Sequence, residues 1–116
     1  MSKEKPNTTL QITESTYYVL LALKEPMHGY IIMQEVEKIS EGALKIGPAT
    51  LYTILSRLQK EGLIRAASHV AEEDFDPRRK PYTLTNKGKD VLTYEVKRRY
   101  KMAMHGIKKL GLRFTD

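Results

Sequence analysis

The sequence contains no cysteine and no tryptophan, so its aromatic residues are seven Tyr and two Phe. Without cysteine, disulfide bonds and thiolate chemistry are excluded, and nothing in the chain calls for an oxidising compartment. No apolar run approaches the roughly 18 residues of a membrane-spanning helix, and the polar start lacks the hydrophobic stretch of a signal peptide. We therefore expect a cytoplasmic protein with no membrane partner.

Residue patterns for metal binding and catalysis are also absent. His69 and His105 have no second ligand at metal-binding spacing, and His28 beside Gly29 is typical of a capping or packing residue. The sequence shows no paired carboxylates, no nucleophile with its base and no glycine-rich loop for phosphate. We predict a non-enzymatic protein with no catalytic residues, no cofactor and no metal.

The chain has 116 residues, of which 41% are hydrophobic, which is enough for one core and too little for two. Its net charge of +6 is unevenly distributed. Residues 78–90 hold five Lys or Arg and residues 97–113 hold seven, whereas residues 66–77 hold four acidic residues and no cation. Two basic blocks separated by an acidic patch favour a polyanionic partner, although a solvated basic helix explains the second block equally well.

Residues 47–64 have the pattern of a complete helix with both ends marked. Gly47 suits the N-cap, Pro48 suits the first helical position, and Gly62 ends the helix. One face is an apolar stripe, formed by Leu51, Ile54, Leu55 and Leu58. The other carries hydroxyls and then cations, which suits a helix that enters a DNA major groove: Thr50, Tyr52, Thr53, Ser56, Arg57 and Lys60. An ordinary amphipathic surface helix is the alternative.

Two shorter helices are predicted before this one, after an arm over residues 1–12 that shows no periodicity. The first begins at the N-cap Thr13 and runs to Glu25, where Pro26 ends it. Residues 27–30 form a short connection into the second helix, which Gly42 closes. Three helices in this order, with the outer face of the last one free, predict a helix-turn-helix.

A β-hairpin is predicted directly after the third helix. Residues 63–70 form the first strand, residues 71–77 an acidic turn and residues 78–85 the returning strand, in which Pro81 argues for an edge strand or a bulge. This layout is that of a winged helix. Three cations and a hydroxyl donor on the hairpin would contact DNA phosphates, unless they belong to a solvated turn: Arg78, Arg79, Lys80 and Tyr82.

The last predicted helix begins after the N-cap Thr85 and continues without proline to about Leu110. It carries an apolar seam at helical spacing, formed by Leu92, Val96, Tyr100, Ala103, Ile107 and Leu110. A helix of about 25 residues spans about 37 Å, which the small domain cannot cover, so we expect the seam to bind a second subunit. The alternative is a helix folded back on its own domain. Met102 and Met104 beside the seam could line an effector pocket or simply fill space.

Taken together, several of these segments resemble the PadR-like transcriptional regulators. The matching pieces are residues 27–30 (MHGY), residues 47–52 (GPATLY), residues 57–58 with 61–64 (RL and EGLI), and Arg78, Arg79, Lys80, Tyr82, Leu84, Thr85 and Gly88. The resemblance runs from about Thr13 to Leu92 and is closest to the short branch with a single C-terminal helix. It implies a homodimeric winged-helix repressor of a palindromic operator, released in some members by a small hydrophobic or aromatic compound.

We therefore predict a mainly α fold with a small β-hairpin, a winged helix-turn-helix followed by a long C-terminal dimerisation helix. Residues 1–12 would be a flexible arm, residues 13–85 the DNA-binding domain, and residues 86–116 the dimerisation helix and tail. The predicted partners are double-stranded DNA, a second copy of the chain and a small hydrophobic effector. The alternative function is a winged-helix protein-interaction module whose basic face binds an acidic partner.

Overall fold

The computed structural model describes Pro6, Thr8 and residues 10–67 and 80–114. In chain order, these residues form the following elements: α1 (Glu14–Ala22), β1 (Met27–His28), α2 (Gly29–Ile39), α3 (Pro48–Lys60), β2 (Ile64–Ala66), β3 (Pro81–Leu84) and α4 (Asn86–Leu110). The predicted acidic turn and the cations Arg78 and Arg79 lie outside the described residues.

Helix α1 begins as predicted, because the Thr13 side chain accepts a hydrogen bond from the Thr16 backbone N–H. It ends at Ala22, three residues before the predicted end at Glu25. The Leu23 carbonyl accepts a hydrogen bond from the Leu84 N–H of β3 at 3.2 Å, so it bonds to the sheet and not to a further turn of α1.

The predicted flexible arm is wrong at its C-terminal end. Ile12 is 8% exposed and belongs to the hydrophobic core, and Leu10 packs against that core. The Thr8 hydroxyl also donates a hydrogen bond to Glu61 Oε1 at 2.7 Å. Aperiodic sequence gave no sign of this packing, because single apolar residues in an extended segment have no repeat to detect.

The sheet has three strands in the order β1-β3-β2, where the sequence predicted a two-stranded hairpin. Strand β3 pairs antiparallel with both neighbours, with Met27 opposite Tyr82 and Ile64 opposite Leu84. The prediction that Pro81 marks an edge strand or a bulge is wrong, since β3 is the central strand. Pro81 is tolerated because it is the first residue of the strand, where a missing N–H is least harmful.

The third helix and its ends are confirmed. The predicted apolar stripe of α3 is buried, and Gly47 and Pro48 occupy the N-cap and the first helical position. At the other end Gly62 has a φ of 75° and the Leu63 N–H bonds to the Leu58 carbonyl at 2.9 Å. This left-handed ending turns the chain sharply into β2, so the sheet lies beside the helix.

Helix α4 has the predicted start and length, with the Thr85 side chain accepting from the Gly88 N–H. Its buried residues are Gly88, Val91 and Glu95, all in the first half of the helix. Further along, the seam is uncovered in the single chain: Val96 is 41% exposed, Tyr100 66% and Leu110 71%. The helix therefore does not fold back to bury this seam on its own domain.

Candidate nucleic-acid interface

The α3 outer face is the exposed surface opposite the buried apolar stripe. It consists of Thr50, Thr53, Ser56, Arg57 and Lys60, all of which are exposed. Four of them line one shallow surface together with Ala49 and Tyr52. Polar hydroxyls near the start of the helix and cations near its end therefore share one accessible face, as the sequence predicted.

A larger groove runs between this face and the start of α1. It has a volume of about 660 Å³, and Thr50, Thr53 and Arg57 form one of its walls. The other wall includes Gln11 and Ser15, which were not among the predicted site residues. Their sequence context showed only an N-cap region, because the proximity of α1 to α3 arises from tertiary packing.

Thr53 has a defined side-chain orientation. Its hydroxyl donates a hydrogen bond to the Ala49 carbonyl, one turn earlier in α3, at 2.9 Å. The hydroxyl proton is thus engaged within the helix, whereas its oxygen lone pairs and its methyl group remain accessible. Thr53 can accept a hydrogen bond from a base or contact a thymine methyl group.

The two candidate tyrosines differ from the other site residues. Tyr52 is half-buried and packs against the core, with its ring close to Gly29. Tyr82 is only 5% exposed, so its predicted role as a hydroxyl donor to phosphate is wrong for the folded chain. Burial raises the pKa of the Tyr82 hydroxyl, and the nearby Tyr52 raises it further. In β3 its side chain alternates inward, which makes Tyr82 a core residue.

The predicted phosphate-binding cations are only partly within the described residues. Arg57 and Lys60 are exposed in the last turns of α3. Lys80 is half-buried and directly precedes β3, at the base of the hairpin. Lys87 is a further cation nearby, whose Nζ donates to the Glu61 carbonyl at the end of α3 at 3.0 Å.

A charged cluster on α4 was not predicted as a site. Glu95 is 6% exposed, and its Oε1 accepts from Arg98 Nε at 3.1 Å, from Arg98 Nη2 at 2.9 Å and from Arg99 Nη1. Hydrogen bonding to Glu95 raises the pKa of Arg98. Two cations of the second basic block thus share one carboxylate within the chain, which reduces the charge that they offer to a polyanion.

Other kinds of site were also sought in the part of the chain that the structure describes. No group of three or more His, Cys, Asp or Glu residues is placed there to hold a metal ion. None of the helices in that part is long and apolar enough to cross a membrane.

The model of the transcriptional regulator PadR-like family matches residues 19–94, which is more than half of the chain. The chain belongs to the PadR-like family. The match includes α2, α3, the sheet and the first third of α4, and so contains the candidate interface. The description of this family is that of transcriptional regulators.

Two proteins with similar sequences are themselves uncharacterised. One is an uncharacterised 37.1 kDa transposon protein of Streptomyces fradiae, 31% identical over 87 residues, which are 74% of this chain and 23% of that protein. The other is the uncharacterised protein X of Lysinibacillus sphaericus, 34% identical over 77 residues, or 66% of this chain and 69% of that protein. The PadR-like chain therefore spans about a quarter of the first relative.

Solved structures show the same architecture. A PadR-like transcription factor from Bacteroides fragilis has a TM-score of 0.62 at 30% identity, covering 83% of this chain and 88% of that one. A PadR-like regulator from Bacillus cereus has a TM-score of 0.62 at 25% identity, covering 86% and 93%. Bacillus subtilis PadR, solved with operator DNA, has a TM-score of 0.60 at 24% identity over 74% of this chain and 48% of that one. The predicted winged-helix fold is confirmed.

Proposed function

We propose that this PadR-like regulator is a repressor that binds a palindromic operator as a homodimer. The observation that carries the proposal is the α3 outer face, in which exposed hydroxyls and cations lie opposite a buried apolar stripe. Bacillus subtilis PadR, which shares this fold, was solved in complex with operator DNA, and this supports DNA as the proposed partner.

Within the interface, the proposed roles follow position along α3. Thr50 and Thr53 lie on the first two turns and Ser56 on the third, and their side chains would reach base edges in a major groove. Arg57 and Lys60 lie on the last turns, where the helix leaves the groove and cations meet phosphates. Lys80, with Arg78 and Arg79 of the wing, would add phosphate contacts from the hairpin.

The homodimer is proposed from the uncovered seam of α4. Large apolar side chains such as Val96, Tyr100 and Leu110 are well exposed in one chain, and burying them against a second copy removes them from water. Leu92, Ala103 and Ile107 complete the proposed interface. A two-fold dimer would present two α3 helices, which matches a site with two inverted halves.

We also propose that a small hydrophobic or aromatic compound releases the repressor by binding beside this seam. Tyr100 and Met102 are exposed there and would offer an aromatic ring and an adaptable thioether. By linkage, operator DNA must then weaken binding of the compound by the factor by which the compound weakens DNA binding. Equal affinities of a compound for the free and DNA-bound protein would show that it is not an effector.

The alternative, a protein-interaction module with an acidic partner, is separated from DNA binding by two measurements. Selection from a random duplex pool should enrich one inverted repeat, and the logarithm of its affinity should fall linearly with that of the salt concentration. Lys60→Ala should reduce this slope by about 0.9. Lys24→Ala, at an exposed cation after α1, is the matched control and should leave the slope unchanged. A pool that shows no enrichment would refute sequence-specific DNA binding.

A further inference from the structure

Glu95 is a buried carboxylate in a helix whose remaining charges are on the surface. A buried charge is costly unless it is paired and hydrogen-bonded, and Glu95 meets that condition through Arg98 and Arg99. It is also the last buried residue of α4, so it lies where the helix leaves the domain. This position places the cluster at the boundary between the domain and the proposed dimerisation segment.

Arg99 connects three parts of the chain. One guanidinium nitrogen bonds to Glu95 on α4, and Nη2 donates to the Ile12 carbonyl at 2.8 Å. The guanidinium carbon also lies 4.3 Å from the centre of the Tyr17 ring on α1, a cation–π distance. Because the guanidinium is planar and its donors point in fixed directions, these contacts restrict the angle between α4 and α1.

The segment that Arg99 holds is itself attached to the far end of α3. Thr8 donates to Glu61, the C-cap of α3, at 2.7 Å, and the Leu10 N–H donates to the Thr8 hydroxyl at 3.1 Å. Thr8 and residues 10–12 thus join the end of α3 to the middle of α4.

The geometry points to a positioning role, and we propose that Glu95, Arg99 and the Ile12 carbonyl form a clamp that sets the angle between α3 and α4. Residues 100–110 of α4 lie beyond the clamp and extend about 16 Å, so a tilt of about 10° in α4 moves the far end by about 3 Å relative to the clamp. In a dimer joined through that part, the clamp determines the separation of the two α3 helices and hence the spacing between operator half-sites. This inference rests on the proposed function.

The first test measures geometry without DNA. Since the chain has no cysteine, Ser56→Cys places a single spin label on the exposed face of each α3. Double electron–electron resonance measures the distance between the two labels of the dimer. We expect one narrow distribution of this distance, and Arg99→Gln should broaden or shift it. Lys101→Gln removes the same charge from an exposed position on α4 and should leave the distribution unchanged. A distribution that is equally narrow in Arg99→Gln and in the control would overturn the clamp.

The second test measures spacing on DNA. The selected operator is compared with versions whose half-sites are separated by one base pair more or less. We expect Arg99→Gln to reduce the preference for the original spacing by about three- to tenfold, while its affinity for random DNA matches that of Lys101→Gln. An equal loss on all spacings would show a merely structural role and refute the proposal. Arg99→Lys keeps the charge but lacks the planar fork, and it is used if Arg99→Gln does not fold. Its preference for the original spacing should be weaker than that of the wild type and stronger than that expected for Arg99→Gln.

The two tests also separate the clamp from the function on which it rests. If the wild-type protein selects no DNA but the labels respond to Arg99→Gln, sequence-specific binding fails and the clamp remains as a geometric device. If the wild type selects an operator and the labels and spacing preference ignore Arg99, only the clamp fails. A wild-type chain that is monomeric by sedimentation would overturn the clamp together with the dimer.

Discussion

Tyr52 of α3 lies so close to Gly29 at the start of α2 that a Cβ atom on Gly29 would be 2.5 Å from Tyr52 Oη and 3.0 Å from Cζ. Real Cβ atoms essentially never come that close to another atom, so a side chain at position 29 requires the end of the Tyr52 ring to move. The contact joins two of the segments on which the family resemblance was based, residues 27–30 and 47–52. It lies between the start of α2 and the first half of α3, the helix that carries the α3 outer face.

Replacing Gly29 by alanine should therefore destabilise the protein by about 1–3 kcal/mol through overpacking. With Tyr52→Phe as background, the hydroxyl that makes the closest approach is gone, and the penalty of Gly29→Ala should be smaller. A double-mutant cycle by urea unfolding measures the coupling, expected at about 0.5–3 kcal/mol. The same penalty on both backgrounds would mean that Tyr52 is not what excludes a side chain at position 29.

A second glycine is required by an even closer approach. A Cβ on Gly88 would lie 2.0 Å from the Leu63 carbonyl oxygen, a backbone atom that already accepts from the Thr85 N–H. Gly88→Ala should force α4 away from Leu63, which directly precedes β2, and cost about 1–3 kcal/mol in unfolding free energy. Gly106→Ala in the same helix has nothing within 4 Å and should instead stabilise the protein by up to about 1 kcal/mol. Thermal unfolding that ranks the two variants in the opposite order would contradict this.

The helices could be predicted from sequence because their signals are local. Thr13, Thr85 and the Gly47-Pro48 pair mark helix starts by short-range hydrogen bonding and fixed φ angles, and the structure confirms all three starts. The apolar stripe of α3 repeats at 3.6 residues, so its buried face and the opposite exposed face followed from the same count. That is why all five residues of the α3 outer face could be named in advance.

What could not be predicted depends on partners distant in sequence. Strand β1 has two residues, too few for alternation, and its partner β3 lies more than 50 positions later. Without β1, Pro81 appeared to be at an edge and Tyr82 appeared to be exposed. Glu95 and Arg99 have the i,i+4 spacing of an ordinary surface pair, and only the tertiary position of the Ile12 carbonyl gives the pair its further role.

The buried Tyr82 hydroxyl makes a prediction about alkaline stability. Its pKa is raised above the ordinary value of 10.0, so the folded state keeps this proton at a pH where the unfolded chain has released it. Its contribution to the free energy of unfolding is complete below about pH 10. That contribution is lost as pH rises towards the folded-state pKa, by at most about 1.4 kcal/mol per pH unit. Tyr82→Phe should lessen the decline of unfolding free energy between pH 10 and 11. Tyr30→Phe, at a 63% exposed position, should not.

The proposed dimer makes a prediction about two residues of the seam. Val96→Asp with Ile107→Asp should produce monomers, since each carboxylate would be buried without a partner in the interface. Lys101→Asp with His105→Asp places two carboxylates on the opposite side of α4 and should leave the dimer intact. Sedimentation velocity measures whether each of these two double variants is a monomer or a dimer. A dimer that persists in the seam variant would exclude this part of α4 as the interface.

The last prediction concerns Thr53, whose hydroxyl proton is held by the Ala49 carbonyl. If Thr53 accepts from a base or touches a thymine methyl, Thr53→Ala should weaken operator binding by about 1–3 kcal/mol and hardly change binding to random DNA. Thr53→Val keeps the methyl groups and removes the acceptor, so affinity retained by valine but lost in alanine would identify a methyl contact. Lys60→Ala is the opposite case and should weaken both kinds of DNA alike. Were Thr53→Ala to weaken all sequences equally while Lys60→Ala changed base preference, the assignment of early α3 residues to bases and late ones to phosphates would have to be reversed.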